Sequence, residues 1–205
     1  MSDLFEKLIS LFMHFPGIGP RQARRFVYFL LKQDAGYIDQ LMWSVKELRE
    51  VVGVCKDCHR HYTKESRRDD GICEICRDPN TENDKLMIVE KDLDLENIKK
   101  SGNYRGRYFV LGALLPYLEK DPDKKMRLIE LSKLIEALGG LQEIIIALSL
   151  SPHGENTVDY LKEKLEAAGH ARGIKFTTLG RGLSTGTELE YADPDTLQNA
   201  LKNRR

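Results

Sequence analysis

Residues 143–148 read EIIIAL. Five apolar residues in a row, with no polar alternation, describe a strand covered on both faces, as in a parallel sheet with helices packed on either side. Three further runs are β-rich: LMIVE (86–90), RYFVLGA (107–113) and IKFTTLG (174–180). Helical patterns fill the gaps between them. Asp121-Pro122 is a cap and first-turn pair ahead of a helix from Met126 to Leu138, and a second helix runs from Asn156 to Ala168 before Gly169. Strand and helix in alternation predict an α/β fold with a mostly parallel sheet.

Upstream the periodicity changes. Asp3 can cap a helix with Glu6 three residues on, and Leu4, Phe5, Leu8, Leu11 and Phe12 repeat at helical spacing. Ala23, Phe26, Val27, Leu30 and Leu31 make a second apolar stripe, and Ile38, Leu41, Met42, Val45 and Leu48 a third. Between this helical module and the sheet, residues 53–78 are polar and hold almost nothing able to form a core except cysteines. A short segment of that kind needs a staple.

The staple is legible. Cys55, Cys58, Cys73 and Cys76 stand as two C-x2-C doublets, and two such knuckles can close a tetrahedral thiolate site around zinc, a redox C-x-x-C pair or unrelated buried thiols being the alternatives. Four thiolates leave no position open for water, so the expected role is to fold the segment and not to catalyse. His59 and His61 are competing ligands in principle, or else solvated loop histidines. Lys64, Arg67 and Arg68 between the doublets are either a solvated face or a weak phosphate-contact patch.

Lys+Arg and Asp+Glu both number 32 among 205 residues, so no global field draws the chain to a polyanion and any nucleic-acid contact must be local. One local site stands out. In FPGIGPRQARR (15–25), Gly17 and Gly19 permit tight backbone turns whose N–H groups point outward together, and the helix that follows adds its positive end. Arg21, Arg24 and Arg25 sit in that helix's first turns, where the macrodipole disfavours positive charge by about 0.3–1 kcal/mol each. A bound phosphate would offset the conflict; a plain corner between helices with exposed arginines is the alternative. No apolar run approaches the roughly 20 residues of a membrane span, and the first residues lack a signal-peptide pattern, so a cytoplasmic location is expected.

FPGIGPRQARRFVYFLL resembles the helix-hairpin-helix element that opens the RecR family of bacterial recombination mediators, and the four cysteines fall where that family has its zinc motif. MIVEKDLDLENIKKSGNYRGRYFVLG (87–112) resembles the family's Toprim start, and LGRGLSTGTELEYADPDTLQNALKNR (179–204) its C-terminal signature. The resemblance implies four parts: a helix-hairpin-helix module over 1–52, a four-cysteine zinc finger over 53–78, a Toprim domain over 79–178 and an oligomerisation segment over 179–205. It further implies a non-enzymatic, DNA-binding mediator of recombinational repair. Such a protein acts with RecO and RecF to help load RecA on single-stranded gaps coated by single-strand-binding protein, and forms ring-like tetramers. Gly17, Gly19, Arg21, Arg24 and Arg25 would then grip backbone phosphate.

The chain departs from the family pattern in places. The glycine-rich loop expected after the second Toprim strand is LLPYLEKDPDKK (114–125), and the run after the third strand is SLSPHGE, keeping Gly154, Glu155 and Thr157. Because the Toprim fold also serves magnesium-dependent nucleases and primases, an enzyme of that type is the alternative reading. Glu90, Asp92 and Asp94 resemble the acidic start of such a site, holding either a weak magnesium or the cap of the next helix. Residues 147–151 offer no Asp-x-Asp partner, and Glu155 alone is a poor substitute, so no cleavage is expected. GRGLSTGTE lacks the lysine of a phosphate loop. A final helix is expected from Asp195 to Asn203 with only Leu197, Ala200 and Leu201 as its apolar face, too little to stand alone.

Overall fold

A computed structural model describes residues 3–65, 69–119, 121–170, 172–180, 182–183, 186, 188–202 and 204. The chain divides into two compact units, Met1–Val52 and Gly53–Arg205.

In the first unit α1 (Asp3–Met13) and α2 (Pro20–Leu30) pack on each other through Ile9, Ala23 and Val27, with Phe5, Leu8, Phe12 and Ile18 around them. Edge-to-face rings, Phe5 on Tyr28 and Phe12 on Phe26, close the sides of this small core. Leu31 leaves the expected stripe, because it caps α2 and is exposed. Asp34 caps α3 (Ala35–Val51) by accepting the Tyr37 N–H at 2.9 Å. The third apolar stripe forms a helix as predicted, but α3 buries no residue. Leu41, Met42, Val45 and Leu48 are all exposed, because α1 and α2 spend their facing sides on one another.

The chain continues with the paired strands β1 (Val52–Val54) and β2 (His61–Thr63), then the single-turn α4 (Glu74–Arg77). The sheet follows: β3 (Glu82–Val89), α5 (Asp92–Ser101), β4 (Gly106–Val110), α6 (Pro122–Lys125), α7 (Leu128–Ala137), β5 (Glu143–Ala147), α8 (Pro152–His170) and β6 (Lys175–Thr178). The strands lie in the order β4-β3-β5-β6, all parallel. The α/β expectation is met, and the alternation of side chains explains why both faces are apolar. Leu86 and Ile88 of β3 join Phe109, Ile144 and Ile146 under α7 and α8, while Met87 and Val89 join Tyr108 and Val110 under α5. The chain reverses direction across the sheet at β3, which has β4 on one side and β5 on the other. Right-handed crossovers therefore put α5 on one face and α7 and α8 on the opposite one.

Three helix bounds differ from the periodicity. The helix expected to start at the Asp121-Pro122 pair and run through Met126–Leu138 is instead two helices, α6 and α7, with Met126 extended and buried between them. Arg127 causes the break: its N–H bonds the Leu111 carbonyl at 3.3 Å, and its guanidinium turns inward. The α8 helix starts at Pro152, four residues before Asn156, because the Ser151 hydroxyl accepts the Gly154 N–H at 3.2 Å and Pro152 suits the first helical position. In the last helix, α9 (Pro194–Lys202), the cap is Asp193, which accepts both the N–H and the hydroxyl of Thr196. A 3-10 turn, Leu189–Tyr191, precedes it.

The loops after β4 and β5, near the sheet's carboxyl ends, are built in tightly. Thr157 is fully buried, its hydroxyl accepting the Leu115 N–H at 2.8 Å, and the Asn156 amide donates to the Leu115 carbonyl at 3.0 Å. A Cβ on Gly154 would come within 1.9 Å of the Ser149 carbonyl oxygen. Gly154 and Thr157 therefore have a packing reason for their identity: they fasten the loops after β4 and β5 to α8.

Candidate nucleic-acid interface and metal centre

Phe15-Pro16-Gly17-Ile18 forms a type II turn. Proline sets the second position, Gly17 takes φ +77 at the third, and the Ile18 N–H closes on the Phe15 carbonyl at 3.1 Å. Ile18 points back into the hairpin core. Gly19 is the N-cap of α2 in extended conformation, and no side chain caps the helix. The helix thus opens with Pro20, which has no N–H, followed by Arg21 and Gln22, whose N–H groups belong to the uncapped first turn. A Cβ added to Gly17 or Gly19 would meet nothing within 4 Å. The turn is open, and its glycines serve conformation and approach, not crowding.

The three arginines are not equivalent. Arg21 is exposed at the first turn. Arg24 reaches back to Glu6 of α1 at 3.6 Å, with both side chains about half exposed. Arg25 Nη1 donates to Gln22 Oε1 at 3.4 Å. An exposed pair at the Arg24–Glu6 distance is worth little, so Arg24 is available to a stronger anion.

The cysteines converge. All four are buried, their Sγ atoms lie within 4.8 Å of one another, and Cys58 and Cys73 stand 3.6 Å apart. A tetrahedron with metal–sulfur arms of about 2.3 Å has edges of about 3.8 Å, so the spacing fits a thiolate-bound ion. The first knuckle turns at His59, whose φ of +58 makes it the single non-glycine residue with positive φ among the described residues. Its N–H bonds the Cys55 carbonyl at 3.0 Å, and the Arg77 N–H repeats that bond to Cys73 in the second knuckle. The Cys73 N–H points at Cys55 Sγ at 3.4 Å, a bond that favours a thiolate there. Hydrogen bonds from Cys58, Cys73 and Cys76 push the Cys55 thiol far down, while the bond to Cys55 pushes Cys58 and Cys76 up. Four thiolates in one buried site conflict with each other, and a divalent cation removes the conflict.

Neither histidine belongs to the converging group. The His59 ring packs edge-on to Phe109 at 5.4 Å, and His61 meets Asp92 through both its N–H (2.7 Å) and Nδ1 (2.8 Å). Lys64 lies over Gly53, whose Cβ would touch its chain at 3.0 Å. Arg67 and Arg68 lie outside the described residues.

Two arginines absent from the sequence-based site anchor the knuckles to the sheet. Arg127 Nη1 donates to the carbonyls of His59 (3.0 Å) and Val110 (2.9 Å), and Arg107 Nη1 donates to that of Cys76 at 2.7 Å. The Val110 N–H completes the joint by donating to the Cys58 carbonyl at 2.8 Å. No local sequence signal marks these roles, since each partner is a main-chain group distant in sequence.

The acidic trio is divided among separate tasks. Asp92 holds His61, and Asp94 accepts the Lys91 N–H at 3.3 Å at the start of α5. Glu90 is half-buried just beyond β3, and its carbonyl accepts the Gly112 N–H at 2.9 Å. Among the described residues, the cysteine quartet is the group of three or more potential ligands that comes together. None of the described helices is long and apolar enough to cross a membrane.

Known protein families match the chain in three stretches. Residues 5–48 match the model of the RecR helix-hairpin-helix, residues 84–175 that of the Toprim domain and residues 182–205 that of the RecR C-terminal region. The chain is 34% identical over 203 residues to Recombination protein RecR of Bacteroides fragilis, covering 99% of this chain and 94% of that protein. It is likewise 34% identical to the proteins of the same name from Cereibacter sphaeroides (98% and 95% covered) and Chloroflexus aggregans (97% and 92%).

Proposed function

The chain belongs to the RecR family of recombination proteins, and on that premise we propose how its two sites divide the work of a recombination mediator in DNA repair. The open turn at Gly17 and Gly19 receives a backbone phosphate on main-chain N–H groups, with Arg21, Arg24 and Arg25 supplying charge. Such a grip reads no sequence. The observation that carries this reading is the uncapped start of α2, with empty space above both glycines, inside the stretch matched as a helix-hairpin-helix.

Cys55, Cys58, Cys73 and Cys76 hold one structural zinc ion, which supplies cross-linking of the 53–78 segment and no chemistry. We assign the chain no enzymatic activity. The separation of Asp92 and Asp94 into a histidine contact and a helix cap supports this over a magnesium-dependent nuclease or primase. Domain limits of 1–52, 53–78, 79–178 and 179–205 follow the same division. Partners are single-stranded gaps coated by single-strand-binding protein, the RecO and RecF proteins, and through them RecA, in the cytoplasm. One hairpin binds weakly, and assembly into a tetrameric ring would raise its effective concentration. Exposed Leu189, Tyr191 and Leu201 near the C-terminus support assembly through that end.

DNA affinity measured against salt, together with oligomer mass, tests this function. Arg21→Ala with Arg25→Ala should weaken binding by at least about tenfold and flatten the salt slope by about two charges at unchanged mass. Unchanged affinity and slope would leave a zinc-containing adaptor with no DNA contact of its own.

A further inference from the structure

The phosphate turn carries an aromatic ring that the grip described above does not use. Phe15 is the first residue of the type II turn, its carbonyl closing on the Ile18 N–H, and the residue is 59% exposed. Other aromatic residues are exposed elsewhere, so exposure alone decides nothing. Position does: Phe15 stands two residues from Gly17 and four from the N-cap Gly19. The ring is also buttressed. Phe12 lies against it with centroids 6.0 Å apart and planes tilted by 35°, and Phe12 in turn meets Phe26 edge-on at 5.5 Å in the hairpin core. A ring held by one neighbour and otherwise largely exposed loses little freedom when something flat lands on it.

We propose that Phe15 stacks on an unpaired base adjoining the phosphate held at Gly17 and Gly19, so that the hairpin selects single-stranded DNA, or the single-stranded side of a gap, over duplex. This rests on the phosphate-gripping reading, because it is the gripped phosphate that brings a base, one sugar away, to the ring. In a duplex the bases are already paired and stacked and offer the ring no open face. Stacking tolerates every base, so selectivity for strandedness arises without selectivity for sequence.

Fluorescence anisotropy on three ligands tests the proposal: an oligothymidine strand, the same strand with abasic sugars, and a duplex of equal phosphate number. The full-length protein should prefer the base-bearing strand over the abasic one by about tenfold. Phe15→Ala should bring the base-bearing strand down to the abasic level and leave the abasic strand and the duplex unchanged, while Phe15→Trp keeps the preference. Retention of the preference in Phe15→Ala overturns the proposal. So does an equal loss on all three ligands, and so does an altered oligomer mass, which would mean that the ring packs against a second copy. Failure of the underlying reading is separable: there Arg21→Ala with Arg25→Ala leaves all three affinities and their salt slopes unchanged.

Discussion

Gly17 and His59 both occupy the left-handed region of backbone space, at φ +77 and +58, and their surroundings are opposites. Around Gly17 there is open space, an uncapped helix start and exposed arginines. Around His59 there are buried sulfurs, the Phe109 ring and an arginine on its carbonyl. Glycine adopts this conformation without penalty, so the turn at Gly17 needs no support and stays free for a ligand. A histidine there costs about 1–2 kcal/mol and persists where neighbours over-determine it. Open geometry suits a site that receives a partner; closed geometry suits one that holds a module together.

The sharpest way to break this contrast is to remove the closure. Cys58→Ser with Cys76→Ser should abolish the proposed zinc binding, about one ion per chain by metal analysis, and unfold the 53–78 segment, seen as loss of amide-exchange protection there. Binding energies of structural zinc in small modules are of order 10 kcal/mol, so this is the largest effect expected. The α1–α2 hairpin lies in the other compact unit and should keep its protection.

Next in size is the anchor. Arg127→Met removes charged donors from the His59 and Val110 carbonyls, which should lower stability by about 3 kcal/mol in urea unfolding. Zinc content should stay at about one per chain, separating docking of the module from its closure.

The smallest effects come from exchanging the two left-handed residues' solutions. Gly17→Ala should cost about 1–2 kcal/mol in thermal unfolding of the first unit and weaken DNA binding, although the added methyl meets no atom. His59→Gly relieves strain but forfeits the Phe109 contact, worth about 0.5–1.5 kcal/mol, so the net change should stay within about 1 kcal/mol.

Much of the local geometry at both candidate sites was legible in the chain because the signals are local. The cysteine doublets carry their own geometry, and Pro16-Gly17 specifies its turn without help from elsewhere. Three of the sheet's strands likewise announced themselves through near-continuous apolar runs that need two covering layers, whereas β6, KFTT, showed only as β-rich. The break at Met126 was not legible, because helical periodicity ran across it and only the pull of distant carbonyls on Arg127 explains it. The α3 stripe shows the reverse: its period is helical, but periodicity does not say whether a face finds a partner.

Composition, spacing and period alone determined the parts: a helical hairpin with a glycine turn, a cysteine-stapled segment and a covered parallel sheet. Each depends on interactions within a few residues or on the transfer of apolar side chains from water, both properties of the sequence itself. Tertiary structure alone decided how the metal module is fastened, that Arg24 is shared with Glu6, that Asp92 serves His61 and that the Phe15 ring faces outward. These are contacts between groups far apart in the chain or matters of exposure, and neither is set until the elements have packed.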